Sequence, residues 1–136
     1  MNDAPALRGS CHCGAVCFTV RAPIRAVFEC NCSYCSRAGA LWALVTEPEL
    51  EVTRCWEDLA LYQFNTFRAK HYFCRTCGIG GFSRPRIDPG RWAVNVRCLE
   101  GFDLAAVPRY PFDGINWEAA AQAVRARVPK VPSAES

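Results

Sequence analysis

At 136 residues the chain suits one domain that buries roughly 60% or more of its unfolded surface, enough for a core that bound metal can reinforce. No apolar run approaches the about 18 residues of a membrane span, and Met1 to Ser10 lacks the charged and apolar regions of a signal peptide, so a cytoplasmic protein is expected. The formal charge of +3 is carried by scattered arginines with no dense run, which excludes a phosphate-tracking face for nucleic acid.

In chain order, Cys11-His12-Cys13-Gly14 comes first, a cysteine pair in a short turn whose glycine permits the φ > 0 backbone that brings amides close to sulfur. Val16, Phe18 and Val20 then alternate with Ala15, Cys17 and Thr19 in the period of a half-buried strand, and Ala22-Pro23 ends it. Ile24 to Glu29 reads as a second strand that delivers Cys30 at its end. The tightest cluster, Cys30-Asn31-Cys32-Ser33-Tyr34-Cys35, therefore begins where a sheet fixes the backbone.

Leu41 to Val45 is a continuous apolar run stopped by Thr46-Glu47-Pro48, and Leu50 to Thr53 alternates strictly, so both read as strands. Trp56-Glu57-Asp58 turns into a β-rich run from Leu59 to Phe64, and Asn65-Thr66 turns that into Arg68 to Phe73. This strand feeds Cys74-Arg75-Thr76-Cys77-Gly78, a second pair with a trailing glycine. Gly78 to Phe82 is expected to be a flexible return and Arg84 to Gly90 a loop. Trp92, Val94, Val96 and Cys98 alternate with Arg91, Ala93, Asn95 and Arg97, which predicts a strand with Cys98 on its apolar face. The one good helix runs from an N-cap at Asn116 through Arg125, and the tail 126–136 is expected to be disordered. Trp42, Phe64, Tyr72 and Phe82 are assigned to the core or to a pocket wall.

Ten cysteines in a reducing compartment point to metal or catalysis before disulfides. The C-x-C-x2-C spacing of Cys30, Cys32 and Cys35 is too cramped for mutual disulfides and suits three sulfurs on one tetrahedral ion at about 2.3 Å each. Three protein ligands leave a position for water or substrate, whereas Cys11, Cys13, Cys74 and Cys77 supply the four of a closed structural site. Two Zn2+ per chain are expected. Seven ligating thiolates and two dications contribute −3 together and cancel the formal charge. For the three-cysteine cluster the alternatives are a fourth ligand from Cys55, His12 or His71, a site capped by water without a substrate, or an iron–sulfur cluster.

The sequence resembles the glutathione-dependent formaldehyde-activating enzymes, whose domain is shared with centromere protein V. The likeness rests on Gly9 to Val16, on Cys30 to Cys35, on Tyr72 to Gly78 and on Val94 to Leu99, and it spans roughly Leu7 to Trp117. It implies a mainly β, zinc-stapled sandwich, and with the strands and helix read above the expected fold is one domain of short antiparallel strands with a short C-terminal helix, occupying 7–125. It also implies that Cys11, Cys13, Cys74 and Cys77 hold structural zinc and that Cys30, Cys32 and Cys35 hold catalytic zinc.

The chemistry of the open cluster agrees. A thiol entering the vacant position on Zn2+ loses its proton to become a nucleophile at neutral pH, and four thiolates around a dication keep the entering sulfur electron-rich. The expected activity is a carbon–sulfur lyase reaction, the reversible addition of a glutathione-like thiolate to formaldehyde or another small aldehyde to give an S-hydroxyalkyl thiol. The alternatives are a non-catalytic zinc-binding interaction module and a redox enzyme with Cys98 as nucleophile. Arg37, Arg75, Arg84, Arg86 and Arg97 are candidates to bind the carboxylates of the thiol, since guanidinium forks match them. The expected partners are thus a small thiol and a small aldehyde.

Overall fold

The computed structural model describes residues 6–54 and 56–127. The predicted strand at Val16 to Val20 forms as β2 (Cys17–Val20), with β1 (Leu7–Ser10) on one side and β5 (Leu50–Arg54) on the other, antiparallel to both. A second sheet of seven strands runs from edge to edge as β10 (Arg109–Phe112), β3 (Val27–Cys30), β4 (Trp42–Val45), β9 (Trp92–Asn95), β8 (Phe82–Arg84), β7 (Lys70–Cys74) and β6 (Leu59–Tyr62). A mainly strand protein with a short C-terminal helix, α2 (Trp117–Arg127), is the fold that the sequence led us to expect. Among the described residues, no helix is long and apolar enough to cross a membrane.

Both sheets contribute to one core. Phe18 of β2 meets Phe82 of β8 edge-on, ring centroids 5.4 Å apart, and Phe82 meets Trp92 in the same way at 5.3 Å. Val20, Val27, Leu41, Val94 and Val96 are fully buried around them. Each such side chain contributes about 1.5–3 kcal/mol by leaving water. Gly81 is required by this packing, because a Cβ there would stand 2.8 Å from the Phe18 ring.

Five details depart from the sequence expectation. Pairing is not wholly antiparallel: β10 runs parallel to β3, and its Pro111 is tolerated because the strand lies at an edge, where no ladder partner asks for its missing N–H. The expected flexible return ends in β8, which pairs with both β7 and β9. The strand expected through Cys98 stops at Asn95, whose side chain accepts from the Arg97 amide and turns residues 96–98 into a 3-10 turn, so Cys98 packs against the core from a turn rather than from a strand. Residues 126 and 127 belong to α2 rather than to a tail, while 128–136 lie outside the described residues. The fifth departure is a short helix, α1 (Ser33–Ala38), inside the tightest cysteine cluster.

Candidate metal centres

Cys11 and Cys13 follow β1, and Cys74 ends β7, so two strands from different sheets bring the two pairs together. The sulfur atoms of Cys11, Cys13, Cys74 and Cys77 all lie within 4.8 Å of one another. Gly14 and Gly78 adopt φ of +83° and +82°, as the trailing glycines were expected to, and their amides donate to the carbonyls of Cys11 and Cys74. These turns aim N–H groups at sulfur: Val16 at Cys11 Sγ (3.3 Å), and Thr76 and Cys77 at Cys74 Sγ (3.3 and 3.4 Å). Cys13 Sγ stands 3.7 Å from both Cys11 Sγ and Cys74 Sγ. A tetrahedron with metal–sulfur bonds of about 2.3 Å has edges of about 3.8 Å, which these two spacings match.

The second cluster is built by β3 and α1. Cys30 is the last residue of β3, Cys32 is the N-cap of α1, and Cys35 is in its first turn, so the chain turns back on itself over six residues. Their three sulfurs lie within 4.8 Å of one another, and among the described residues no fourth Cys, His, Asp or Glu joins them. His12 and His71 are therefore not brought to the cluster, and Cys55 lies outside the described residues. His71 is instead buried beneath Tyr34, ring centroids 4.0 Å apart, and burial lowers its pKa.

Close approach makes the three thiols of this cluster perturb one another. Hydrogen bonds from the Cys30 and Cys35 thiols, helped by the Cys35 and Tyr34 amides, pull Cys32 far below the ordinary thiol range. Bonding to Cys30 first and then to Cys32 pushes Cys35 far up, and bonding to Cys32 raises Cys30. The three thiols thus compete with one another for ionisation. A divalent cation in place of the thiol protons lets all three sulfurs ionise, and an all-sulfur donor set suits a borderline-soft ion such as Zn2+.

Alongside α1 runs a cleft of about 570 Å³ lined by Ser33, Tyr34, Arg37, Ala38, Tyr62, Phe64 and Gly78. Ser33 and Tyr34, the two residues between Cys32 and Cys35, line this cleft, whereas none of the three cysteines does. Burial raises the Tyr34 phenol above its usual pKa, which leaves it a neutral donor at pH 7. Of the aromatic residues assigned to core or pocket wall, Phe64 is in the wall, Trp42 and Phe82 are buried, and Tyr72 packs against the core.

The five candidate arginines separate clearly. Arg84 is paired with Glu47 (2.6 Å) and stacked on Trp92, and Arg86 is paired with Glu118 (2.6 Å) and stacked on Trp117. Arg75 donates to the Leu59 carbonyl and Arg97 to that of Gly39. Arg37 alone of the five lines the cleft, steadied by one bond to the Ser33 carbonyl at 2.9 Å. Sequence reasoning did not foresee that the Trp42 indole would donate to Cys35 Sγ at 3.3 Å, because nothing local links residues on a strand and a helix.

The chain is similar to a protein of Rhodobacter sphaeroides solved by crystallography, with 42% identity and a TM-score of 0.67, over 75% of this chain and 98% of that one. The sequence model of the glutathione-dependent formaldehyde-activating enzymes matches residues 6–111, a stretch that holds all seven clustered cysteines. With both cysteine sets in place and that match covering most of its length, the chain belongs to the glutathione-dependent formaldehyde-activating enzyme family.

Proposed function

We propose that the chain is a zinc-dependent carbon–sulfur lyase that adds a small thiol of the glutathione kind reversibly to formaldehyde or another small aldehyde. The observation that carries this reading is the convergence of exactly three described thiols, Cys30, Cys32 and Cys35, beside a cleft large enough for a peptide-sized thiol. Zinc held by these three would supply a thiolate nucleophile at neutral pH, by accepting the substrate sulfur as its fourth ligand and displacing the thiol proton.

The bookkeeping of the reaction is simple: the sulfur lone pair forms a carbon–sulfur bond, the carbonyl π pair moves to oxygen, and the thiol proton returns there to give the hydroxyl. Reversal breaks the carbon–sulfur bond, so no oxidant or reductant is needed. Cys11, Cys13, Cys74 and Cys77 have the structural role, tying the first sheet to the second. Arg37 holds a carboxylate of the thiol, and Tyr34, Tyr62 and Phe64 wall its body.

Exchange of carbon-13 formaldehyde with glutathione, followed by NMR at a pH where the uncatalysed rate is slow, tests the proposal. The expected result is acceleration by the wild-type chain that disappears in Cys35→Ser. A chain holding two zinc ions yet giving no acceleration would instead support a non-catalytic zinc-binding module.

A further inference from the structure

Asn31, the residue between the first two thiols of the open cluster, grips a turn that arrives 82 residues later. Its Nδ2 donates to Asp113 Oδ1 at 3.1 Å and its Oδ1 accepts from the Ile115 amide at 3.1 Å, so both ends of one carboxamide hold one turn. Asp113 also accepts from Asn116 Nδ2 at 2.9 Å, and these bonds, Asn116 first and then Asn31, lower its carboxyl pKa. The approach is in register too, since β10 lies parallel to β3 with Phe112 opposite Cys30, and the Asn31 amide donates to the Phe112 carbonyl at 3.2 Å.

The consequence falls on Gly114, which opens the 3-10 turn Gly114–Asn116. A Cβ on Gly114 would stand 2.5 Å from Cys30 Sγ, 2.8 Å from Cys32 Cβ and 3.1 Å from the Cys32 amide nitrogen. Its φ is not in the left-handed region, so glycine is needed here for the missing side chain and not for the backbone angle. The bare backbone of residue 114 is in contact with two of the three ligands. Residues 113–116 lie past residue 111, where the match to the family model ends.

We infer that the Asn31–Asp113 clamp is a positioning device for the three-cysteine centre: it seats Gly114 against Cys30 and Cys32, holds the Cys30 sulfur in reach of the other two, and closes that side of the centre to entering ligands. Cys30 needs such support because it is the one ligand outside α1 and its cap. Cys32 and Cys35 are already fixed to each other, by the Cys35 amide donating to Cys32 Sγ at 3.3 Å. The inference rests on the proposed reading of the open cluster as a zinc site.

The test is zinc affinity in the full chain, by chelator competition, with the four-cysteine ion as internal reference. Asn31→Ala and Asp113→Ala should weaken the ion of the open cluster by about 10-fold or more, as loss of outer partners does at metal sites, and leave the other ion in place. Gly114→Ala should weaken it further and, with cobalt replacing zinc, reduce the sulfur-to-metal absorption. Asp113→Asn keeps the oxygen that accepts from Asn31 and loses only the acceptor facing Asn116 Nδ2, so it should hold the ion more tightly than Asp113→Ala. Variants that hold the second ion as the wild type does, or that lose both ions together, would overturn the clamp while leaving the proposed function standing. A wild-type chain that binds a single ion would overturn both.

Discussion

The indole N–H of Trp42 on β4 points at the sulfur of Cys35 on α1, 3.3 Å away, and both residues are buried. A buried indole N–H needs a partner, and a thiolate is a stronger acceptor than a neutral group. The bond therefore supports the ionised, metal-binding form of Cys35. Trp42→Phe keeps most of the ring and removes the donor. Chelator competition should show the open cluster holding zinc about 10-fold more weakly, with the four-cysteine ion unchanged. Equal affinity would mean that Trp42 serves packing alone.

Replacing one cysteine from each cluster separates folding from chemistry. Metal-binding free energy is folding free energy where metal ties elements together, and Cys74, fully buried at the end of β7, is joined to the turn after β1 through its cluster. Cys77→Ser should unfold the chain or make it insoluble, whereas Cys35→Ser should stay folded with one ion fewer. Circular dichroism and thermal melts with metal analysis check this. Identical behaviour of the two variants would contradict the division of roles.

Both clusters were legible in the sequence because cysteine spacing is local and the ligand geometry of zinc is narrow. Helix α1 was not, since its six residues are too few for a 3.6-residue period to declare itself, and its ending at Gly39 was the one signal available. Strand β8 was hidden by Gly80, Gly81 and Pro85, and β10 by Pro111, all of which read locally as punctuation. Tertiary pairing overrode them: β8 lies between two longer strands, and β10 needs only one partner. Alternation continued past Asn95 in the sequence, but a side-chain cap ended the strand there. The sorting of five arginines was equally out of reach, because it depends on Glu47 and Glu118, each more than 30 residues from its partner.

That sorting gives a paired test. Arg37 is exposed at the cleft, so Arg37→Ala should raise KM for glutathione only about 2- to 5-fold, leave kcat unchanged, and lose its effect as salt rises. Arg84→Ala should leave KM alone and destabilise the fold by about 1–2 kcal/mol through loss of the Trp92 stack and the Glu47 pair. Kinetics at two ionic strengths and a denaturant titration distinguish them. A KM effect at Arg84 rather than Arg37 would move the thiol site elsewhere.

Zinc-edge X-ray absorption of the two-zinc protein, recorded with and without glutathione, tests the open three-cysteine centre most directly. The expected spectra show one non-sulfur ligand per chain that is replaced by sulfur when glutathione is added, with no change in the Cys35→Ser variant, which lacks that ion. Two zinc ions already surrounded by four sulfurs each, or a spectrum indifferent to glutathione, would contradict it.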